Sequence, residues 1–235
     1  MTEHVAAVLT VASLLDEMAQ ALARGGVAEP MSEAREIVAA LYDVPRFWPL
    51  LNGGVDVDAP TRARAQIAVG KRVQGAPLAY AVGRASFRHL TLDVDERVLI
   101  PRPETEQLVD LVLDAVAPEP GGVAIDVGTG SGAIAISLAA EGAFSRVYGT
   151  DISRDALAVA AHNVDVCARL LRAPVELLHG SLLGPLLDVR ARVVVSNPPY
   201  IALGEATALP TAVRDWEPAV ALFSGSDGMT ATARL

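Results

Sequence analysis

The chain has 235 residues, 51% of them hydrophobic, with a net charge of −9. That length suits one large domain or two small ones with a packed core. The acidic balance argues against a surface built for non-specific nucleic-acid binding, the apolar runs are far shorter than a membrane span, and the single cysteine, Cys167, forms no internal disulfide.

The opening "MTEHVAAVLT" lacks the basic start and cleavage pattern of a secretory signal, so a cytoplasmic protein is expected. "VLTVASLLDEMAQALARGG" carries apolar residues at helical spacing and stops at Gly25-Gly26. "MSEAREIVAALYDV" opens a second helix at Ser32, with Glu33 and Glu36 in its first turns. A turn, "NGGVDVDAP", leads to a third helix, "TRARAQIAVGKRVQ". Residues 1–74 thus read as a helical domain without chemistry of its own. Residues 1–60 hold 3 basic and 9 acidic residues, whereas 61–90 hold Arg62, Arg64, Lys71, Arg72, Arg84 and Arg88 and no acid. That basic stretch is either a partner-binding patch or a solvated helix face.

Residues 75–100 read as a linker. "RASFRHLTLDVDERVLI" alternates in polarity, which predicts a hairpin turning at Asp95-Glu96. "PRPETEQLVDLVLDAVA" starts a helix near Pro103. From 101 to 235 strand and helix alternate: "GVAIDVG", "SGAIAISLAAEG", "RVYGTD", "SRDALAVAAHNVDVCARLL" with Ser153 as its cap, "VELLHG" and "ARVVVSN". Such alternation predicts a parallel, doubly wound α/β sheet, whose ligands sit beyond the carboxyl ends of the strands.

Three strand ends carry unusual residues. After Asp126 come Gly128, Gly130 and Gly132, spaced G-x-G-x-G rather than as in dinucleotide binders, which disfavours a nicotinamide oxidoreductase. Asp151 ends the second strand, where a carboxylate accepts the two hydroxyls of a ribose. Two carboxylates flanking a glycine loop favour a nucleoside ligand. The fourth strand ends in Ser196-Asn197-Pro198-Pro199-Tyr200. The Asn197 side-chain carbonyl and the Pro198 backbone carbonyl offer two acceptors on a stiff corner, and Tyr200 offers a flat ring. Two acceptors beside a ring suit a planar NH2 group. His4, His89, His162 and His179 show no metal spacing, and Cys167 reads as core.

Asp-Val-Gly-Thr-Gly-Ser-Gly at 126–132, Asp151 and Asn197-Pro198-Pro199-Tyr200 resemble the class I S-adenosylmethionine-dependent methyltransferases that act on planar nitrogen. DNA adenine-N6 and protein glutamine-N5 methyltransferases share that corner. "GAPLAYAVGRASF" at 75–87 and "RVLIPRPETEQLVD" at 97–110 are similar to the HemK/PrmC family, which methylates the Gly-Gly-Gln glutamine of peptide chain release factors. The resemblance implies a Rossmann-like domain behind a helical domain that docks the release factor. It implies that Gly128, Thr129, Gly130, Ser131 and Gly132 surround the methionine part of S-adenosylmethionine, that Asp151 holds the ribose, and that Ser181-Leu182 lies at the adenine. It implies that Asn197, Pro198, Pro199 and Tyr200 hold the substrate glutamine. Family members often carry an acid at the place of Ser181. They also continue past "GSDGMTATARL" with further strands, so a four-stranded sheet with an open edge is expected here. A non-catalytic remnant is the competing expectation from that shortened end.

Overall fold

The computed structural model describes residues 9–117 and 119–235. His4 and most of the segment read for a secretory signal lie outside the described residues. Two compact units divide the chain, one ending at Gly83 and the other running from Arg84 to Leu235.

The first unit is helical: α1 (Val11–Arg24), α2 (Pro30–Tyr42), α3 (Trp48–Leu51), α4 (Ala59–Val73) and α5 (Leu78–Val82). Thr10 caps α1 in a reciprocal exchange with Ser13, and Asp58 caps α4 by accepting from the Thr61 N–H at 2.7 Å. Helix α2 starts at Pro30 rather than Ser32, because a proline at the first helical position sacrifices an N–H that has no helical acceptor. Val11, Leu14, Leu22, Ile37, Val38 and Ala65 form the core. Residues 75–83 read as linker, yet they supply α5, whose Leu78, Ala81 and Val82 pack on this core.

The basic stretch is largely paired. Arg72 grips Glu33 of α2 through two bonds at 2.6 and 2.8 Å and donates to the Ala76 carbonyl. Arg62 meets Glu17 at 3.1 Å, and Lys71 reaches the Tyr80 carbonyl. In the second unit Arg88 is held by Glu141 and Asp110, at 2.8 and 2.7 Å. Its partners lie far off in sequence, so a local charge count overstates the free positive charge.

The second unit opens with a hairpin, β1 (Arg84–Phe87) and β2 (Leu90–Asp93), paired Phe87 to Leu90. The turn is therefore Arg88-His89 and not Asp95-Glu96. Arg88 takes the left-handed conformation at φ 54°, and its N–H and guanidinium bind Glu106 and Glu141, which offsets the backbone cost. Then come α6 (Pro103–Val116), β3 (Val123–Val127), α7 (Ala133–Glu141), β4 (Arg146–Asp151), α8 (Arg154–Val166), β5 (Val175–His179) and β6 (Val193–Ser196). The four parallel strands lie in the order β5-β4-β3-β6. Alternate residues serve opposite faces: Ala124, Val147 and Val195 pack with α6, α7 and Phe87, while Ile125 and Val127 pack with Leu186. Helix α7 is buried over seven of its nine residues, which its small and branched apolar side chains permit. Short helices α9 (Thr211–Arg214) and α10 (Ala219–Leu222) follow β6. Among the described residues no helix is long and apolar enough to cross a membrane.

Candidate functional site

The carboxyl ends of β3, β4, β5 and β6 open into one cleft of about 340 Å³. Gly128, Gly130 and Gly132 stand at φ 74°, 54° and 84°, so the chain folds into a tight cup between β3 and α7 in a left-handed backbone conformation that residues with side chains disfavour. The cup is tied on every side. The Gly128 and Thr129 N–H groups donate to the Thr150 carbonyl at 2.8 and 2.9 Å. The Gly130 N–H donates to Asp151 Oδ2 at 2.9 Å, and the Ser153 N–H to Asp151 Oδ1 at 2.8 Å. Asp151 thus stands in the cleft with its carboxylate oriented by two backbone donors.

Asp126 does not join it. It is fully buried, and its Oδ2 accepts from the Thr129 hydroxyl at 2.7 Å and the Ala135 N–H at 3.1 Å. Its Oδ1 has no partner. Burial pushes this carboxyl up to about 7, against the two hydrogen bonds and with help from the negative Asp151. Of the two carboxylates expected to flank a ligand, one lines the cleft and the other braces the loop from behind.

Ser181 and Leu182 line the cleft after β5. Leu182 is left-handed at φ 52°, an uncommon state for leucine, and the buried Thr150 hydroxyl holds its carbonyl at 2.9 Å.

Asn197 and Pro198 line this cleft and also a second one of about 420 Å³, which adds Tyr200, Ile201, Leu108 and Leu222. Pro199 lines the first cleft, and Tyr200 is 68% exposed. The Asn197 Nδ2 donates to the Thr105 hydroxyl on the first turn of α6 at 3.1 Å, so the side-chain carbonyl is the end not engaged there. Thr105 and Arg102 line both clefts. Neither is a residue that sequence reasoning singled out. Arg102 is anchored by Glu217 at 2.5 Å, whose side chain is 1% exposed. The chain beyond Tyr200 doubles back: the Ile201 N–H donates to the Leu222 carbonyl and the Ser224 N–H to that of Ile201. Gly228, at φ 75°, lies under this return, where a Cβ would run into the Tyr200 carbonyl.

His89, His162 and His179 are exposed and separate, and no group of metal-binding side chains occurs among the described residues. Cys167 is 4% exposed and belongs to the core.

A family model described as PrmC N-terminal domain matches residues 13–83, and one described as Methyltransferase small domain matches residues 105–214. A release factor glutamine methyltransferase of Streptomyces coelicolor is 41% identical over 92% of this chain and 76% of its own length. One from Moorella thermoacetica is 40% identical over 95% of this chain and 78% of its own. Among solved structures, the catalytic domain of hMettl16 in complex with an RNA hairpin superposes with a TM-score of 0.50 at 17% identity, over 76% of this chain and 62% of that one, a likeness of fold.

Proposed function

This chain belongs to the release factor glutamine methyltransferase family, and from that membership we propose that it methylates the N5 nitrogen of the Gly-Gly-Gln glutamine in peptide chain release factors, in the cytoplasm, with S-adenosylmethionine as donor. Its second unit has the class I S-adenosylmethionine-dependent methyltransferase fold. The observation that carries the reading is the sharing of Asn197 and Pro198 by two clefts. One cleft has the glycine cup and Asp151; the other has the Tyr200 ring.

The residues of the first cleft fit the donor. The cup of left-handed glycines lets backbone approach the methionine part, from Gly128 through Thr129, Gly130 and Ser131 to Gly132. Asp151 would hold the ribose hydroxyls, and Ser181 and Leu182 would border the adenine. S-adenosylmethionine supplies an electrophilic sulfonium methyl when bound.

The chain's own part is to make an amide nitrogen reactive. That lone pair is delocalised, so position and charge stabilisation must do what basicity does not. With its Nδ2 given to Thr105, Asn197 presents Oδ1 as an acceptor. The Pro198 carbonyl is the second acceptor, fixed by the ring before it. Together they take the two hydrogens of the substrate NH2 and aim its lone pair across the corner. As positive charge develops on nitrogen, the same two oxygens stabilise it, and one of the two N–H protons leaves to solvent after transfer, so that no strong base is needed beforehand. The Tyr200 ring and Pro199 flank the amide plane.

The reading is tested by incubating the chain with S-adenosylmethionine and an intact release factor. A mass gain of one methyl, mapped to the Gly-Gly-Gln glutamine and lost when that glutamine is replaced by alanine, is expected. An unmodified factor alongside methylated adenine in DNA would overturn it.

A further inference from the structure

Asn163 of α8 is fully buried, and its amide is committed in three directions. Its Oδ1 accepts from the Asp93 N–H at 2.8 Å. Its Nδ2 donates to the Asp93 carbonyl and to the Ser131 carbonyl, both at 2.9 Å. Its buried neighbours on the helix, Val159, Ala160 and Ala156, are apolar, so packing alone asks for no amide here. Burying a primary amide is costly unless its donors and acceptor are matched, and here both donors and the acceptor are.

Toward β2 the amide behaves as one unit of a neighbouring strand, taking the N–H and serving the C=O of the same residue. Toward the glycine cup it holds the carbonyl of Ser131, which lies between two left-handed glycines that offer little rotational restraint of their own. Beyond Asp93 the chain runs into Arg97, Val98, Leu99 and Pro101, which line the same cleft as the cup. One side chain therefore joins the cup to the strand that leads into the 97–101 lining.

We propose that Asn163 is a positioning residue for the methyl donor: its amide sets the Ser131 peptide, and so the Gly130–Gly132 turn, at a fixed distance from the 97–101 wall. The proposal rests on the reading of this cleft as the S-adenosylmethionine site. Asn163 touches no ligand itself; it acts through Ser131 and Asp93.

The test is calorimetric binding of S-adenosylhomocysteine to the full chain and to Asn163→Leu and Asn163→Asp, at neutral and mildly acidic pH. Asn163→Leu keeps the branched outline and loses all three bonds, and should weaken binding about tenfold or more at both pH values. Asn163→Asp turns two donors into an acceptor facing two carbonyls. It should weaken binding at least as much at neutral pH and recover in acid, where the protonated carboxyl donates to one of them. Affinities are taken relative to the unsubstituted chain at each pH. That removes the titration of the groups around the site: His162 on α8 and Cys167 just after it, Asp93 with Arg84 on the hairpin, and Asp126 and Asp151 beside the cup. A role in stability alone would lower the melting temperature and leave these ratios flat. A folded Asn163→Leu chain that binds within about twofold of the original overturns the proposal while the cofactor reading stands. If the unsubstituted chain does not bind, both fall. A measurement that needs no variant is amide exchange: saturating S-adenosylhomocysteine should slow the Asp93 N–H together with that of Gly130, and an unchanged Asp93 rate overturns the coupling.

Discussion

Asn197 and Thr105 are 92 residues apart in the chain and joined by a 3.1 Å hydrogen bond. A side-chain amide presents either its oxygen or its nitrogen to a neighbour, and only the oxygen accepts an NH2 group. By engaging Nδ2, Thr105 leaves the oxygen for the substrate amide proposed above. Thr105→Val should therefore lower single-turnover methyl transfer about tenfold with cofactor affinity unchanged, and Thr105→Ser should recover most of it. Asn197→Ala should cost about 10²-fold or more, as other lost transition-state contacts do. Native rates in Asn197→Ala would remove the two-acceptor corner from the mechanism.

Asp151→Ala should weaken cofactor binding by about 1.5–3 kcal/mol, through loss of charge-assisted bonds to the ribose. The same change releases the Gly130 and Ser153 N–H groups. Calorimetry reads the affinity; an unaltered value in a folded variant places the ribose elsewhere.

The Asp126 carboxyl stands at about 7 in the fold, against an ordinary value of 3.8. Between those values the folded chain holds a proton that the unfolded chain has released. Stability contributed by this group must then fall as pH rises through that window. Asp126→Asn has no proton to lose. Its thermal midpoint should depend less on pH between about 4 and 7 than that of the unsubstituted chain, and the difference should favour the variant at the upper end. Parallel pH profiles of the two chains would show that Asp126 is ionised in the fold throughout.

The cations of the basic stretch should separate by stability. Arg72 has a half-buried, two-bond contact with Glu33, and Arg72→Ala should destabilise the helical unit by about 1–3 kcal/mol. Arg62 meets Glu17 in the open, and Arg62→Ala should fall within about 0.5 kcal/mol of the original. Urea unfolding measures both. A loss of release-factor binding in Arg62→Ala without loss of stability would assign that face to docking.

The glycine cup, Asp151 and the Asn-Pro-Pro-Tyr corner were legible because each breaks a strand-and-helix pattern with residues that have one common reason to be there. The alternating elements were legible for a similar reason, since apolar periodicity is local. What escaped was set by pairing over distance. Asn163 reads as one polar residue on a helix, and its partners at 93 and 131 are backbone groups that no side-chain pattern announces. Thr105 and Arg102 look like an ordinary first turn until the sheet brings Asn197 and Glu217 to them. The hairpin turn was misplaced because Asp95-Glu96 is the better turn dipeptide, whereas Arg88-His89 depends on acids contributed by α6 and α7.

Gly228 sits so close beneath the Tyr200 carbonyl that no side chain fits, and its φ of 75° would disfavour one in any case. The Asn197–Tyr200 corner and this glycine, twenty-eight positions downstream of Tyr200, are therefore one mutational unit. A variant library scored for methyl transfer should show position 228 as intolerant as the corner itself, even to alanine, while neighbouring Met229, half exposed, accepts many residues. For recognising relatives the consequence is diagnostic: an Asn-Pro-Pro-Tyr tetrapeptide without a glycine at that spacing cannot carry its backbone along this path. The four-letter motif alone is then an incomplete signature.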